Sequence, residues 1–168
     1  MRDPRGDSPG VAGPLNLIDP GTTATCTRAW QALRVAHDRV ARRLAADLAR
    51  ECGLAVTEFD VLDHLRARPG EAVRVGTLSG AVALSQPALS RLVTRLEGRG
   101  LIIRSAANDD GRVCVVRLTG AGVELVDRAT VVYARAVHET LTVTLPDEDH
   151  VTLLRTLARI GGELPISG

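Results

Sequence analysis

The sequence predicts a mainly α-helical chain with one small β-wing. Three observations lead there. Apolar residues recur at three- and four-residue steps through several stretches, the period of an amphipathic helix. β-Branched residues crowd into two short runs, residues 101–104 and 113–118, around Asn108-Asp109-Asp110-Gly111, the pattern of a hairpin with a polar tip. Only Trp30, Phe59 and Tyr133 are aromatic among 168 residues, so the core must be Leu, Val and Ala. That length suits one domain, or one domain with a short arm, and buries a core without disulfide or metal staples.

The elements follow in order. Residues 1–21 hold Pro4, Gly6, Pro9, Gly10, Gly13, Pro14, Pro20 and Gly21 and are expected to form a poorly ordered arm. A first helix, α1 (22–52), carries Ala29, Leu33, Ala36, Val40, Leu44 and Leu48 along one side, with Gly53 suited to close it. A second, α2, opens at Thr57 as N-cap with Asp60 three residues on, and stops at Arg68-Pro69-Gly70. Phe59, Leu62 and Leu65 line its inner side. Residues 73–75 make a very short strand, β1. Residues 76–83 make a third helix, α3, weakened by Gly80. Ser85 caps a fourth, α4, which tolerates Pro87 in its first turn and ends at Gly98 and Gly100. Its Leu89, Leu92, Val93 and Leu96 form one apolar stripe. The runs at 101–104 and 113–118 are β2 and β3. Thr119 caps α5, running to about 143, and Leu145-Pro146-Asp147-Glu148-Asp149 opens α6, with Leu153, Leu154, Leu157 and Ile160 on one side. The order is α1-α2-β1-α3-α4-β2-β3-α5-α6, without internal repeats.

Composition excludes several classes. No apolar run approaches the roughly 20 residues that span a bilayer, and no signal-peptide core opens the chain, so a cytoplasmic protein is expected. Cys26, Cys52 and Cys114 are odd in number and far apart, against a disulfide framework or zinc finger. Cys52 and Cys114 read as small core-filling residues. His37, His64, His138 and His150 are scattered, without carboxylates at ligand spacing, so no metal is expected. No nucleophile–base pair or Gly-rich phosphate loop appears, so neither an enzyme nor a cofactor is expected. Scarce aromatics argue against a surface that stacks single-stranded nucleic acid.

Charge is uneven along the chain. The net is +1, all basic residues being Arg. Residues 73–118 carry seven Arg against Glu97, Asp109 and Asp110, a local +4, while residues 119–168 carry four Arg and seven acids, a local −3. A basic middle is a candidate anion-facing surface.

Two short helices with a tight join at Val82-Ala83-Leu84-Ser85, followed by a hairpin, describe a winged helix-turn-helix lobe. With the α4 stripe facing the core, the opposite side holds Pro87, Ser90, Arg91, Thr94 and Arg95, hydroxyls and guanidiniums without an acid. Such a side fits the major groove of double-stranded DNA, where Arg forks onto guanine edges. At the hairpin, Arg112 is placed to enter a narrow minor groove, with Asp110 to orient it and Arg104 on the opposite strand.

Here the sequence resembles the MarR-type transcriptional regulators, over residues 25–160. The resemblance rests on Glu58-Phe59-Asp60-Val61-Leu62 and on Leu84-Ser85-Gln86-Pro87-Ala88-Leu89-Ser90-Arg91-Leu92-Val93-Thr94-Arg95-Leu96-Glu97. Gly100-Leu101-Ile102-Ile103-Arg104, Asp110-Gly111-Arg112, Leu118-Thr119-Gly120-Ala121-Gly122 and Leu145-Pro146 follow in order. It implies a homodimer built from α1, α5 and α6, with two winged lobes on a pseudo-palindromic operator. It also implies a small-molecule or redox signal felt between lobe and dimer interface. The expected division is an arm (1–21), a dimerisation helix (22–52), a DNA-binding lobe (53–118) and dimerisation helices (119–168). The expected DNA-facing residues are Ser85, Gln86, Pro87, Ser90, Arg91, Thr94, Arg95, Arg104, Asp110 and Arg112. The sequence departs from the family at Arg74-Val75-Gly76, where a polar cap of α3 is usual, and at Gly80. At the wing tip Gly111 stands where many members carry a second Arg.

Some members sense peroxide through a cysteine near the start of α1, which makes Cys26 the redox candidate, although the usual tyrosines around such a thiol are missing. Members that bind urate-like anions use an Asp that Asp60 resembles, but the remaining residues of that set do not match. Trp30, His37, Phe59, Asp60 and His64, with Tyr133, are the candidates for an effector pocket. The leading expectation is a dimeric, sequence-specific DNA-binding regulator, acting as a repressor. The alternative is a winged-helix module that contacts protein without DNA.

Overall fold

The structure is a computed structural model that describes residues 20–82, 84–106 and 114–161. Its elements are α1 (Pro20–Cys52), α2 (Val56–Arg66), β1 (Val73–Arg74), α3 (Val75–Ala81), α4 (Gln86–Gly98), β2 (Ile102–Ala106), β3 (Cys114–Leu118), α5 (Gly120–Thr142) and α6 (Asp147–Gly161). The expected order stands. The chain divides into two compact units, Met1–Arg39 and Val40–Gly168. In the first, residues 20–39 are helical, and residues 21–39 are almost wholly exposed, Leu33 being half-buried. The expected arm at 1–21 lies outside the described residues up to residue 19, and Pro20 and Gly21 open α1.

The second unit holds the core. Leu44 and Leu48 of α1, Phe59, Val61, Leu62 and Leu65 of α2, and Leu89, Leu92, Val93 and Leu96 of α4 are all buried in one cluster. Val126, Ala129, Val132 and Ala136 of α5 join it at four- and three-residue steps, the period of one helical side. The sheet has the order β1-β3-β2 and is antiparallel throughout. Ile102 pairs with Leu118 and Arg104 with Val116, so the wing strands are in register from their base. The core reaches the wing through Ile102 and Val116.

Four local details differ from expectation. α2 starts at Val56, not at Thr57, and Ala55 holds its cap position. Ala has no side-chain acceptor. Instead the Glu58 carboxylate accepts the Ala55 N–H at 3.1 Å, so Glu58, and not Asp60, supplies the acidic half of the cap. Ser85 occupies the cap position of α4, but its backbone carbonyl does the work, accepting the Leu89 N–H at 2.9 Å, while its hydroxyl makes no cap bond. α3 is shorter than expected and ends at Ala81. Cys52 packs half-buried against the core, whereas Cys114 is half-buried on the wing and outside the core cluster.

The start of α5 is locked to the turn between α4 and β2. Thr119 Oγ1 accepts the Gly122 N–H at 3.0 Å and donates to the Gly100 carbonyl at 2.7 Å. The Thr119 N–H donates to the Leu101 carbonyl at 3.0 Å. Gly100 sits at φ +70°, a left-handed conformation that Gly adopts without strain. α6 has no buried residue, and Leu153, Leu154 and Ile160 of its apolar side are exposed.

Candidate nucleic-acid interface

The helix-turn-helix is pinned at its join. Ser79 Oγ donates to the Leu84 carbonyl at 2.9 Å, and the Leu84 N–H returns to the Ser79 carbonyl at 3.3 Å. That reciprocal pair closes the turn between α3 and α4. α4 then behaves as its stripe requires, with Leu89, Leu92, Val93 and Leu96 inward and Pro87, Ser90, Arg91, Thr94 and Arg95 exposed. Ser85 and Gln86 are exposed at its start.

The guanidiniums of this surface are not equivalent. Arg91 has no hydrogen bond or ion pair among the described residues, so its donors face solvent. Arg95 is exposed, with its Nε 3.5 Å from Glu58 Oε1. Arg99 is committed elsewhere, donating to Glu58 Oε2 and to the Gly53 carbonyl, each at 3.1 Å. Glu58 is buried, so these contacts offset the cost of burying its charge. They also fasten the end of α4 to the turn between α1 and α2.

Arg104 is engaged by α4. Its Nη2 donates to Thr94 Oγ1 at 3.0 Å and lies 2.8 Å from Glu97 Oε2. Thr94 in turn donates to the Ser90 carbonyl at 3.0 Å. These contacts brace β2 against the exposed side of α4, and among the described residues they leave Arg91 as the free cation of that side. Asp110 and Arg112, the expected wing-tip pair, lie outside the described residues.

The effector candidates fall in both units. Trp30 and His37 are exposed in the first. Phe59, Asp60 and His64 share α2 in the second, where Phe59 is buried and stacks on Tyr133 of α5, ring centroids 5.1 Å apart and planes 19° apart. Burial holds the Asp60 carboxyl above its ordinary range, helped by the charge of Asp63. Burial, with the Arg68 cation, pushes the His64 imidazole down. The Tyr133 phenol is raised by burial and by the two aspartates. Cys26 is exposed on α1. Among the described residues, no group of three or more His, Cys, Asp or Glu is placed to hold a metal.

Sequence reasoning missed an ion-pair network between α1 and α5. Asp47 is 1% exposed and accepts from Arg43 Nε at 2.6 Å, with Arg50 Nη2 2.7 Å from its second oxygen in a purely ionic geometry. Arg43 reaches Glu139 at 2.9 Å, and Arg135 reaches Glu51 at 2.6 Å. The hydrogen bond from Arg43 holds the Asp47 carboxyl below its ordinary range, and that from Arg135 does the same for Glu51.

Residues 52–113 match the model of the MarR family, which covers the turn after α1, the helix-turn-helix and the first wing strand. Over that lobe the chain is similar to the MarR family. A MarR family transcriptional regulator from Silicibacter pomeroyi is 28% identical, with a TM-score of 0.71 over 84% of this chain and 96% of that one. Two further solved structures share the fold. A MarR family transcriptional regulator from Streptomyces coelicolor, solved in complex with DNA, gives a TM-score of 0.73 at 24% identity over 86% of this chain and 90% of that one. BpsR of Bordetella bronchiseptica, described with regulation of its DNA binding by 6-hydroxynicotinic acid, gives 0.69 at 23% identity over 79% and 98%. The MarR fold thus extends beyond the matched lobe into the flanking helices. No described helix is long and apolar enough to cross a membrane.

Proposed function

We propose that the chain is a homodimeric, sequence-specific DNA-binding transcriptional regulator of the MarR type, acting in the cytoplasm as a repressor and not as an enzyme. The observation that carries this reading is the exposed side of α4. It presents Arg91 unpaired among the described residues beside Ser90 and Thr94, on a helix anchored at its end by Glu58–Arg99 and braced by Arg104 from β2. An unpaired guanidinium among small side chains on a fixed helix is what bidentate reading of a guanine edge in the major groove requires. Arg95, Ser85, Gln86 and Pro87 flank it, and Asp110 and Arg112 are assigned to the wing's contact with the minor groove. Arg104 acts in this reading by holding the wing to α4.

The dimer is supported by α6, where Leu153, Leu154 and Ile160 of the apolar side are left exposed by the described residues. An exposed apolar surface of that kind is unusual for a monomer. On this reading α1, α5 and α6 form the dimer, residues 53–118 the lobe, and a small-molecule or redox signal releases DNA; DNA binding by one relative is described as regulated by 6-hydroxynicotinic acid. Selection of bound DNA from a random pool tests the proposal. A pseudo-palindrome with half-sites about one helical turn apart is expected from a two-fold dimer. Recovery of no enriched sequence, together with binding to a protein partner through the same surface, would replace it with the protein-contacting alternative.

A further inference from the structure

A cleft of about 240 Å³ lies between the end of α2, the turn that follows it, and the junction of β3 with α5. Leu65, Leu118 and Val123 supply apolar lining, and Arg66, Arg68 and Arg117 line it as well. Two of these guanidiniums are already oriented. Arg66 donates to the two Asp127 oxygens at 2.8 and 3.4 Å. Arg68 donates from Nη1 to the His64 carbonyl and to His64 Nε2, each at 3.1 Å. Arg117 is exposed and has no hydrogen bond or ion pair among the described residues. Glu71 is the one acid of the lining. Asp127 pairs with Arg66, Glu71 makes no ion pair among the described residues, and the three guanidiniums exceed these two acids by one positive charge.

We propose that this cleft binds a small organic carboxylate, with its oxygens on Arg117 and Arg68 and its apolar body on Leu65, Leu118 and Val123. The chemistry follows from the two halves of the site. Guanidinium forks match a carboxylate geometrically, and charge-assisted hydrogen bonds of that kind are the strong ones. An inorganic anion would satisfy the arginines and leave the apolar lining wet. Volume sets the size: an apolar cavity of about 150 Å³ accepts benzene, so this one has room for a short chain or a single ring. The cleft shares no residue with the exposed side of α4, and the inference does not rest on the DNA-binding reading.

The test is a two-dimensional amide NMR titration of the full chain with sodium hexanoate. Sodium phosphate and hexan-1-ol serve as probes of each half of the site. Saturable shifts are expected at residues 65–71, 117–118 and 123 at millimolar hexanoate. Phosphate and hexanol should each bind at least about tenfold more weakly, and Arg117→Gln and Arg68→Gln should each weaken hexanoate by about tenfold, the scale of one charge-assisted hydrogen bond. Both variants change exposed side chains, so their spectra should stay those of the folded protein. Shifts that never saturate, phosphate binding as tightly as hexanoate, or unchanged hexanoate affinity in Arg117→Gln would each overturn the proposal. So would a loss of DNA affinity in Arg117→Gln with hexanoate binding intact, which would give that arginine to DNA instead.

Discussion

Gly122→Ala tests the joint between the lobe and α5. A Cβ at this position would lie 2.0 Å from the Leu101 carbonyl oxygen, 3.0 Å from its carbon and 3.1 Å from Leu118 Cδ2. Real Cβ contacts essentially stop at 3.0 Å, so the backbones must part by at least 1.0 Å, the difference between 3.0 and 2.0. The nearest obstacle is the Leu101 backbone, which cannot swing aside as the Leu118 methyl can. The same Leu101 carbonyl accepts the Thr119 N–H at 3.0 Å, and a displacement of that size stretches the bond beyond useful length. Overpacking costs about 1–3 kcal/mol and a lost hydrogen bond about 0.5–1.5 kcal/mol. Against them stands a gain of about 0.5–1 kcal/mol from replacing Gly by Ala in a helix. The net is a destabilisation of about 0.5–4 kcal/mol, centred on about 2 kcal/mol, which for a chain of this size lowers Tm by roughly 4–8 °C at the centre of that range. Thermal unfolding followed by circular dichroism, at one fixed protein concentration because any self-association shifts Tm, measures it. Gly120→Ala is the control, since nothing lies within 4 Å of its added Cβ, and it should leave Tm unchanged or raise it. A Gly122→Ala protein that melts within about 1 °C of the parent would refute the steric argument.

Further predictions concern charge and helix propensity. Asp47 and Glu51 are held below their ordinary values of 3.8 and 4.5, so their stabilisation is complete above those values and is lost as pH falls through the lower folded ones. Tm should therefore drop on acidification below about pH 4.5, and Asp47→Asn should lower Tm at neutral pH while making that acid limb shallower. Asp60 has the opposite sign: its raised carboxyl makes the ionised form a liability, so Asp60→Asn should hold or raise Tm at neutral pH, the advantage fading as acid protonates the parent. Gly80→Ala, with nothing within 4 Å of the new Cβ in α3, should stabilise by about 0.5–1 kcal/mol. Urea unfolding of the two proteins at equal concentration decides it, and a loss of stability would contradict the open space seen there.

What the sequence made legible was set by local periodicity. The α4 stripe of Leu89, Leu92, Val93 and Leu96 needs only the helical repeat, and its exposed side follows by geometry. The wing strands were visible in their β-branched runs, and Thr119 declared itself as a cap. The α2 start was misplaced because the residue at its cap position, Ala55, carries no capping group and the compensating one lies three residues on. Pairings across the fold left no local trace. Arg43–Glu139 and Arg135–Glu51 join residues 96 and 84 apart, and Arg99 with Glu58 are 41 apart. Arg104 is expected from the sequence to face DNA. Its engagement by Thr94 and Glu97 depends on how β2 crosses α4, which only the folded chain fixes.

We propose that the exposed side of α4 reads DNA through Arg91. The most direct measurement is a salt titration of affinity for the selected operator, and for its single-base variants, with the parent protein and Arg91→Ala. Affinity should fall steeply with salt, as phosphate contacts require. Arg91→Ala should cost about 1–3 kcal/mol per half-site and erase preference at one defined base pair, with the protein still folded. Affinity that is indifferent both to salt and to Arg91→Ala would contradict it.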